Sequence, residues 1–148
     1  MLVRDVMSTG VLTVHPSDPV RLVVKHMLAR HCGAVPVVDD TQTLIGLVAV
    51  RDVLLPLYPN YGEYMHDSVA SRDFVEMEGG YTNLLERRVE EVMTPQPLSV
   101  GPDDPVLKAA SFMGLKNFRR IPVAEGGRLL GMISIGDINR ELYFAAHR

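Results

Sequence analysis

A carboxylate near the start of a helix can accept hydrogen bonds from both hydroxyls of a cis-diol, and one stretch of this sequence offers that arrangement. In Gly131-Met-Ile-Ser134-Ile-Gly136-Asp137 the acid closes a Gly-x-x-Ser-x-x-Asp pattern, with the Ser134 hydroxyl three residues before it. A helix N-terminus at Gly136-Asp137 would add backbone N–H donors suited to an anionic phosphate. Alone, such an Asp reads as a helix cap. Its standing rises because the pattern returns: Gly46 and Asp52 have the same spacing earlier in the chain.

Other chemistry finds no support. There is no Walker loop, no dinucleotide fingerprint and no readable Ser-His-Asp arrangement, so the chain reads as a non-enzyme with no required cofactor. His26 and His31 stand five positions apart, which is wrong for a shared helix face, and His66-Asp67 is only a dipeptide; no metal site is expected. Cys32 is the only cysteine, which excludes an intrachain disulfide and a Cys-based zinc site.

The composition sets broader limits. Of 148 residues, 47% are hydrophobic and the net charge is only −3, so the chain is too apolar and too weakly charged for disorder. Fifteen Lys and Arg against eighteen Asp and Glu leave no global basic field, which argues against a nucleic-acid partner. No apolar run approaches the roughly 20 residues that cross a bilayer. Asp5 interrupts the start before any secretory core, so a cytoplasmic location is the expectation.

The elements that must position the acids come from an internal repeat. Val3-Arg-Asp-Val-Met-Ser-Thr returns as Val89-Glu-Glu-Val-Met-Thr-Pro, an offset of 86. At that offset Asp18-Pro19-Val20 falls on Asp104-Pro105-Val106, and Val35-Pro36-Val37 on Ile121-Pro122-Val123. Each copy reads as helical entry, strand, helix, strand, turn, strand, helix. Leu12–Val14 and Leu98–Val100 are short strand-like runs. Asp18 and Asp104 are predicted to cap helices whose first residue is proline. The stripe Val20, Val23, Val24, Met27, Leu28 predicts one buried helix face, matched by Val106, Ala109, Ala110, Met113 and Gly114. Hairpins turn at Asp39–Gln42 and at Glu125-Gly126-Gly127. Gly136–Ala146 reads as a final helix with Ile138, Leu142 and Tyr143 on one side.

Repeats of about fifty residues are marginal alone, so two should pack into one body, and leftover apolar faces favour a homodimer. The expected organisation is repeat 1 at 1–54, an insert at 55–88, and repeat 2 at 89–148. In the insert, Pro56 and Pro59 should stop the preceding helix, and Tyr58, Tyr61 and Tyr64 cluster. Asp73–Glu78 and Tyr81–Val92 read as helices broken at Gly79-Gly80.

The duplicated pattern resembles the cystathionine-β-synthase (CBS) domain, and two in tandem resemble a CBS pair, or Bateman module. Its most specific parts here are Met93-Thr94-Pro95, Arg119-Arg120-Ile121-Pro122-Val123 and Gly131-Met-Ile-Ser-Ile-Gly-Asp137. The resemblance implies an α+β fold: two βαββα repeats in a pseudo-twofold pair, with a helical insert between them. It also implies an adenosine-containing ligand, AMP, ADP, ATP or S-adenosylmethionine, in the cleft between repeats. Asp137 would then take the ribose, with Ser134 offering its hydroxyl to the ligand and the backbone at Gly136 its N–H donors. Arg120 matches the family position that reaches the phosphates. Thr9, Thr13 and Cys32 would complete the pocket from the other repeat, and the backbone beside Ile121, Pro122 and Val35 would hold the adenine edge.

The pseudo-symmetric pocket is poorer. Asp52 and Arg51 are present, with Ser99 matching Thr13 and Phe118 standing where Cys32 does. Ala49, however, replaces the Ser134 equivalent and Ala34 replaces Arg120. The resemblance therefore implies a regulatory sensor that signals ligand occupancy to a protein partner. The alternative is a non-catalytic dimerisation scaffold with decayed pockets.

Overall fold

In the computed structural model, which describes residues 1–58 and 74–148, the repeat is visible in the backbone. The chain opens with α1 (Val3–Val6), and the first repeat continues through α2 (Val20–Arg30), β1 (Ala34–Val38), β2 (Leu44–Ala49) and α3 (Val50–Leu54). A 3₁₀ turn at Leu55–Leu57 follows. Among the described residues two short helices, α4 (Phe74–Glu78) and α5 (Tyr81–Leu84), precede the second repeat. That repeat has β3 (Thr94–Pro95), α6 (Val106–Lys116), β4 (Arg120–Glu125), β5 (Arg128–Ser134) and α7 (Ile135–Ala146). Pro59, Tyr61, Tyr64, His66-Asp67 and Asp73 lie outside the described residues.

α2 and α6 end alike. His31 and Asn117 adopt left-handed backbone, φ 49° and 58°, and the next residue's N–H returns to the carbonyl of Met27 or Met113. That sharp stop throws Cys32 and Phe118 directly into β1 and β4. The hairpins are antiparallel, with Val35 opposite Val48 and Ile121 opposite Ile133. Asp39 fixes the first turn by accepting from the Thr41 hydroxyl and from the N–H groups of Thr43 and Thr41, which holds its carboxyl below the usual carboxylate range. The second turn uses Gly126 and Gly127, both at positive φ.

Two apolar cores form, and each takes in a piece of the other repeat. Val3 and Val6 are buried with Val100, Val106, Ile121 and Ile133, while Val89 is buried with Val14, Val20, Val37 and Val48. The segments that lead each repeat are thus exchanged. Ser8 exchanges two backbone hydrogen bonds with Met132, at 2.8 and 3.0 Å, and Thr94 stands opposite Leu47 on β2. Ion pairs Arg4–Asp103 and Arg21–Glu86 span the same junctions. The close approach needs glycine: a Cβ on Gly131 would sit 2.3 Å from the Ser8 carbonyl oxygen.

Several expectations are corrected. Asp18 and Asp104 do not cap helices; the prolines themselves occupy the cap position in extended backbone, with no side-chain cap bond. The acids instead accept from the N–H groups of His15 and Gly101, tying the preceding turn. Leu12–Val14 and Leu98–Val100 make only single parallel bridges, Val14 to Val37 and Val100 to Val123. No helix spans Tyr81–Val92. The backbone leaves it after Leu84 because Arg87 and Val89 bond to Val20 and Asp18 of the first repeat, and a 3₁₀ turn follows at Val89–Glu91. Leu28 points to solvent, whereas Ile138 is only 2% exposed and belongs to a core rather than to an outer face. Among the described residues no helix is long and apolar enough to cross a membrane.

Candidate functional site

The strand β5 runs straight into α7, and the junction carries the candidate chemistry. Ser134 is the cap residue in extended backbone, φ −113° and ψ 152°. Its Oγ accepts from the Asp137 N–H at 3.0 Å. Asp137 is therefore the third residue of the helix, beside backbone donors that the helix itself leaves unused. Its carboxylate meets Arg140 Nη1 at 3.1 Å, and its side chain is 27% exposed. Arg140 also approaches Glu141, at 3.5 Å.

Arg120 opens β4 as the cross-strand partner of Ser134. Residues so paired have neighbouring side chains, so a cation, a hydroxyl and a carboxylate share one corner. Arg120 is half-buried and makes no ion pair among the described residues; Arg119 is exposed. Gly136 has nothing within 4 Å of where a Cβ would stand, which leaves the helix start open.

The other sequence-predicted residues divide between the repeats. Thr9 is exposed and follows Ser8, whose backbone is bound to Met132, so the exchanged segment brings it to the second repeat. Ile121 and Val35 are each 1% exposed, and Pro122 is buried as well. Their side chains belong to the cores, so only backbone atoms could serve a ligand. Thr13 precedes the Val14–Val37 bridge, and half-buried Cys32 leans on the core that holds Val14 and Val20, its Sγ 4.0 Å from the His26 carbonyl. Among the described residues neither Thr13 nor Cys32 is hydrogen-bonded to Arg120, Ser134 or Asp137.

The second pocket differs where the sequence differs. Ala34 and Ala49 are cross-strand partners in the register that Arg120 and Ser134 occupy. With no hydroxyl at the cap, Asp52 turns back and its Oδ2 accepts from the Ala49 N–H at 2.9 Å. The same oxygen stands 3.5 Å from the Thr94 hydroxyl of the exchanged segment. Arg51 is exposed, Ser99 is half-buried before Val100, and Phe118 packs on the core that holds Val106 and Ile121.

Sequence reasoning missed three residues. Arg140 was readable as a helical i, i+3 partner of Asp137. Ser8 and Thr94 stand at equivalent repeat positions, but no local signal says that each crosses to the opposite repeat. Away from Asp137, a cleft of about 520 Å³ is lined by Leu54, Leu57, Phe74, Met77 and Tyr81 among others, and holds none of the predicted site residues.

Comparison with known proteins bears on this arrangement. The family model described as CBS domain matches residues 3–57 and 89–143. The CBS domain-containing protein YhcV of Bacillus subtilis is 27% identical over 136 residues, covering 92% of this chain and 81% of that protein. The chloroplastic CBS domain-containing protein CBSX2 of Arabidopsis thaliana is 30% identical over 135 residues, covering 86% of this chain and 56% of that protein. A solved structure of CBSX2 in complex with AMP superposes with a TM-score of 0.74 at 28% identity, covering 98% of each chain.

Proposed function

This chain belongs to the CBS-domain family, and from that premise we propose that it is a regulatory module sensing an adenosine-containing ligand. AMP, ADP, ATP or S-adenosylmethionine binds in the cleft between the repeats, and occupancy passes to a protein partner. The observation that carries this reading is the corner where the part-exposed Asp137 carboxylate stands free of its cap residue's N–H and Arg120 stands across from Ser134. The similar CBSX2 structure, which holds AMP, supports the ligand class.

In this reading the Asp137 carboxylate accepts both ribose hydroxyls, and Arg140 keeps it oriented until the diol arrives. Arg120 and the open helix start at Gly136 meet the phosphates. Thr9 approaches from the exchanged segment, and Thr13 and Cys32 close the pocket from the first repeat. A ligand that joins the two sides favours one angle between repeats over others, and that population shift is the signal. No step of bond making or breaking is involved; the pocket binds and releases.

The pair works as a homodimer in the cytoplasm. Exposed Leu142 and Tyr143 on α7, joined by Phe144, supply an apolar face. The scaffold reading is favoured only for the Asp52 pocket, where two alanines stand in place of the arginine and serine. Calorimetric titration with AMP, ATP and S-adenosylmethionine tests the sensor reading. Saturable binding of at least one is expected, and binding of none would leave the scaffold.

A further inference from the structure

We propose that Ser134 is a positioning residue that keeps the Asp137 carboxylate available to a ligand diol, by removing the acid from the cap of its own helix. The inference rests on reading Asp137 as the diol-binding group. Its evidence is a comparison within the molecule. Of the helix and 3₁₀ starts whose cap residue is described, four carry an acid as the third residue: Asp5, Asp52, Glu91 and Asp137. In the first three the cap residue is Leu2, Ala49 or Arg88, none of which offers a side-chain acceptor. In all three the acid folds back and accepts from the cap residue's N–H, each at 2.9 Å.

Only the fourth has a hydroxyl at the cap, and only there does the acid make no hydrogen bond to the N–H of its cap residue. Ser134 and Ala49 share the same extended backbone, φ −113° and ψ 152° against φ −99° and ψ 164°. The backbone is therefore not the cause. Ser134 Oγ satisfies the Asp137 N–H, and the carboxylate pairs with Arg140, one turn along, instead of returning to the N–H of residue 134. A folded-back acid has one oxygen committed to a backbone donor and is turned toward the chain, which spoils bidentate acceptance from a diol. The identity of one cap residue thus sets which of two equivalent acids can read a ribose.

The test compares AMP with 2′-deoxy-AMP, which lacks one hydroxyl of the diol, by calorimetry on the intact chain. The wild type should prefer AMP by about tenfold, the effect of one charge-assisted hydrogen bond. Ser134→Ala should lose that preference, and Ser134→Thr, which keeps a hydroxyl at the cap, should retain it. A serine that acted only by touching the ligand would weaken both nucleotides together and leave the preference intact; that result would overturn the proposal. Crystal structures of the variants give a reading that needs no ligand. Ser134→Ala should bring the Asp137 carboxylate to about 3 Å from the N–H of residue 134, and Ala49→Ser should release Asp52 from residue 49. An Asp137 carboxylate that stays off the N–H of residue 134 in Ser134→Ala would overturn the proposal, whereas a wild type that binds none of AMP, ATP and S-adenosylmethionine would overturn the adenosyl reading itself.

Discussion

Replacing Gly131 by alanine would place a methyl group 2.3 Å from the Ser8 carbonyl oxygen and 3.2 Å from its carbon. Both are backbone atoms, so the exchanged segment itself must move by roughly 1 Å to restore ordinary contact. The two hydrogen bonds between Ser8 and Met132 lie at the same spot and would lengthen with it. Overpacking costs about 1–3 kcal/mol, and each weakened bond about 0.5–1 kcal/mol. A total of about 2–5 kcal/mol is expected. Gly46→Ala is the matched control. There the nearest atom is the Met93 sulfur at 2.5 Å, on a flexible side chain that can swing aside, although the Thr94 carbonyl at 3.3 Å limits the relief. Its cost should be about 1 kcal/mol. Gly114 in α6 has nothing within 4 Å, so Gly114→Ala should stabilise by about 0.5–1 kcal/mol. Urea unfolding followed by circular dichroism, with midpoints compared at constant slope, reads all three. Equal costs at Gly131 and Gly46, or no cost at Gly131, would refute the exchange of leading segments as the feature that demands glycine.

Asp104 carries a pH prediction. The Gly101 N–H, helped by Lys108, holds its carboxyl below the usual range. A depressed folded-state value contributes stability above the unfolded pKa, and that contribution is lost as pH falls through the folded value. Asp104→Asn should therefore be less stable than the parent at neutral pH and converge with it in acid, seen as melting temperatures against pH; a constant gap would contradict the assignment. Arg120→Ala should weaken AMP and ATP far more than adenosine in calorimetry, and Arg51→Ala should do little; the reverse ranking would place the nucleotide in the other pocket. Sedimentation at micromolar concentration should show a species of twice 16.4 kDa, and the monomer alone would sink the homodimer.

What was legible before the structure follows from where the information is stored. Hairpin turns, helix stripes and the two Gly-to-Asp patterns are local, and Val20, Val23 and Met27 are buried as their spacing predicts. The exchange is not local. Val3, Val6 and Val89 are apolar residues that would suit either core, because two copies of one fold bury nearly the same side chains; nothing in their spacing chooses between them. Asp18 and Asp104 looked like caps because Asp before a helix so often is one. The following prolines, held in extended backbone, take that position and leave the acids to a turn donor three residues back. For the site, Ala34 and Ala49 could be recognised from the repeat as losses. That they face one another across a hairpin, as Arg120 faces Ser134, required the strand register. The folded-back carboxylate of Asp52 could not be read at all, since its direction depends on the side chain three positions earlier.

AMP titration of three proteins tests the ligand site most directly: wild type, Asp137→Ala and Asp52→Ala. Asp137→Ala removes two charge-assisted hydrogen bonds to the diol, each worth about 1.5–3 kcal/mol, so affinity should fall at least about tenfold. The melting temperature without ligand should barely move, because the Ser134 cap on the Asp137 N–H needs no side chain at position 137. The wild type should take up one AMP per chain, and Asp52→Ala should bind it as the wild type does. If Asp137→Ala binds AMP unchanged, or Asp52→Ala is the variant that fails, the nucleotide does not sit where the Asp137 carboxylate stands.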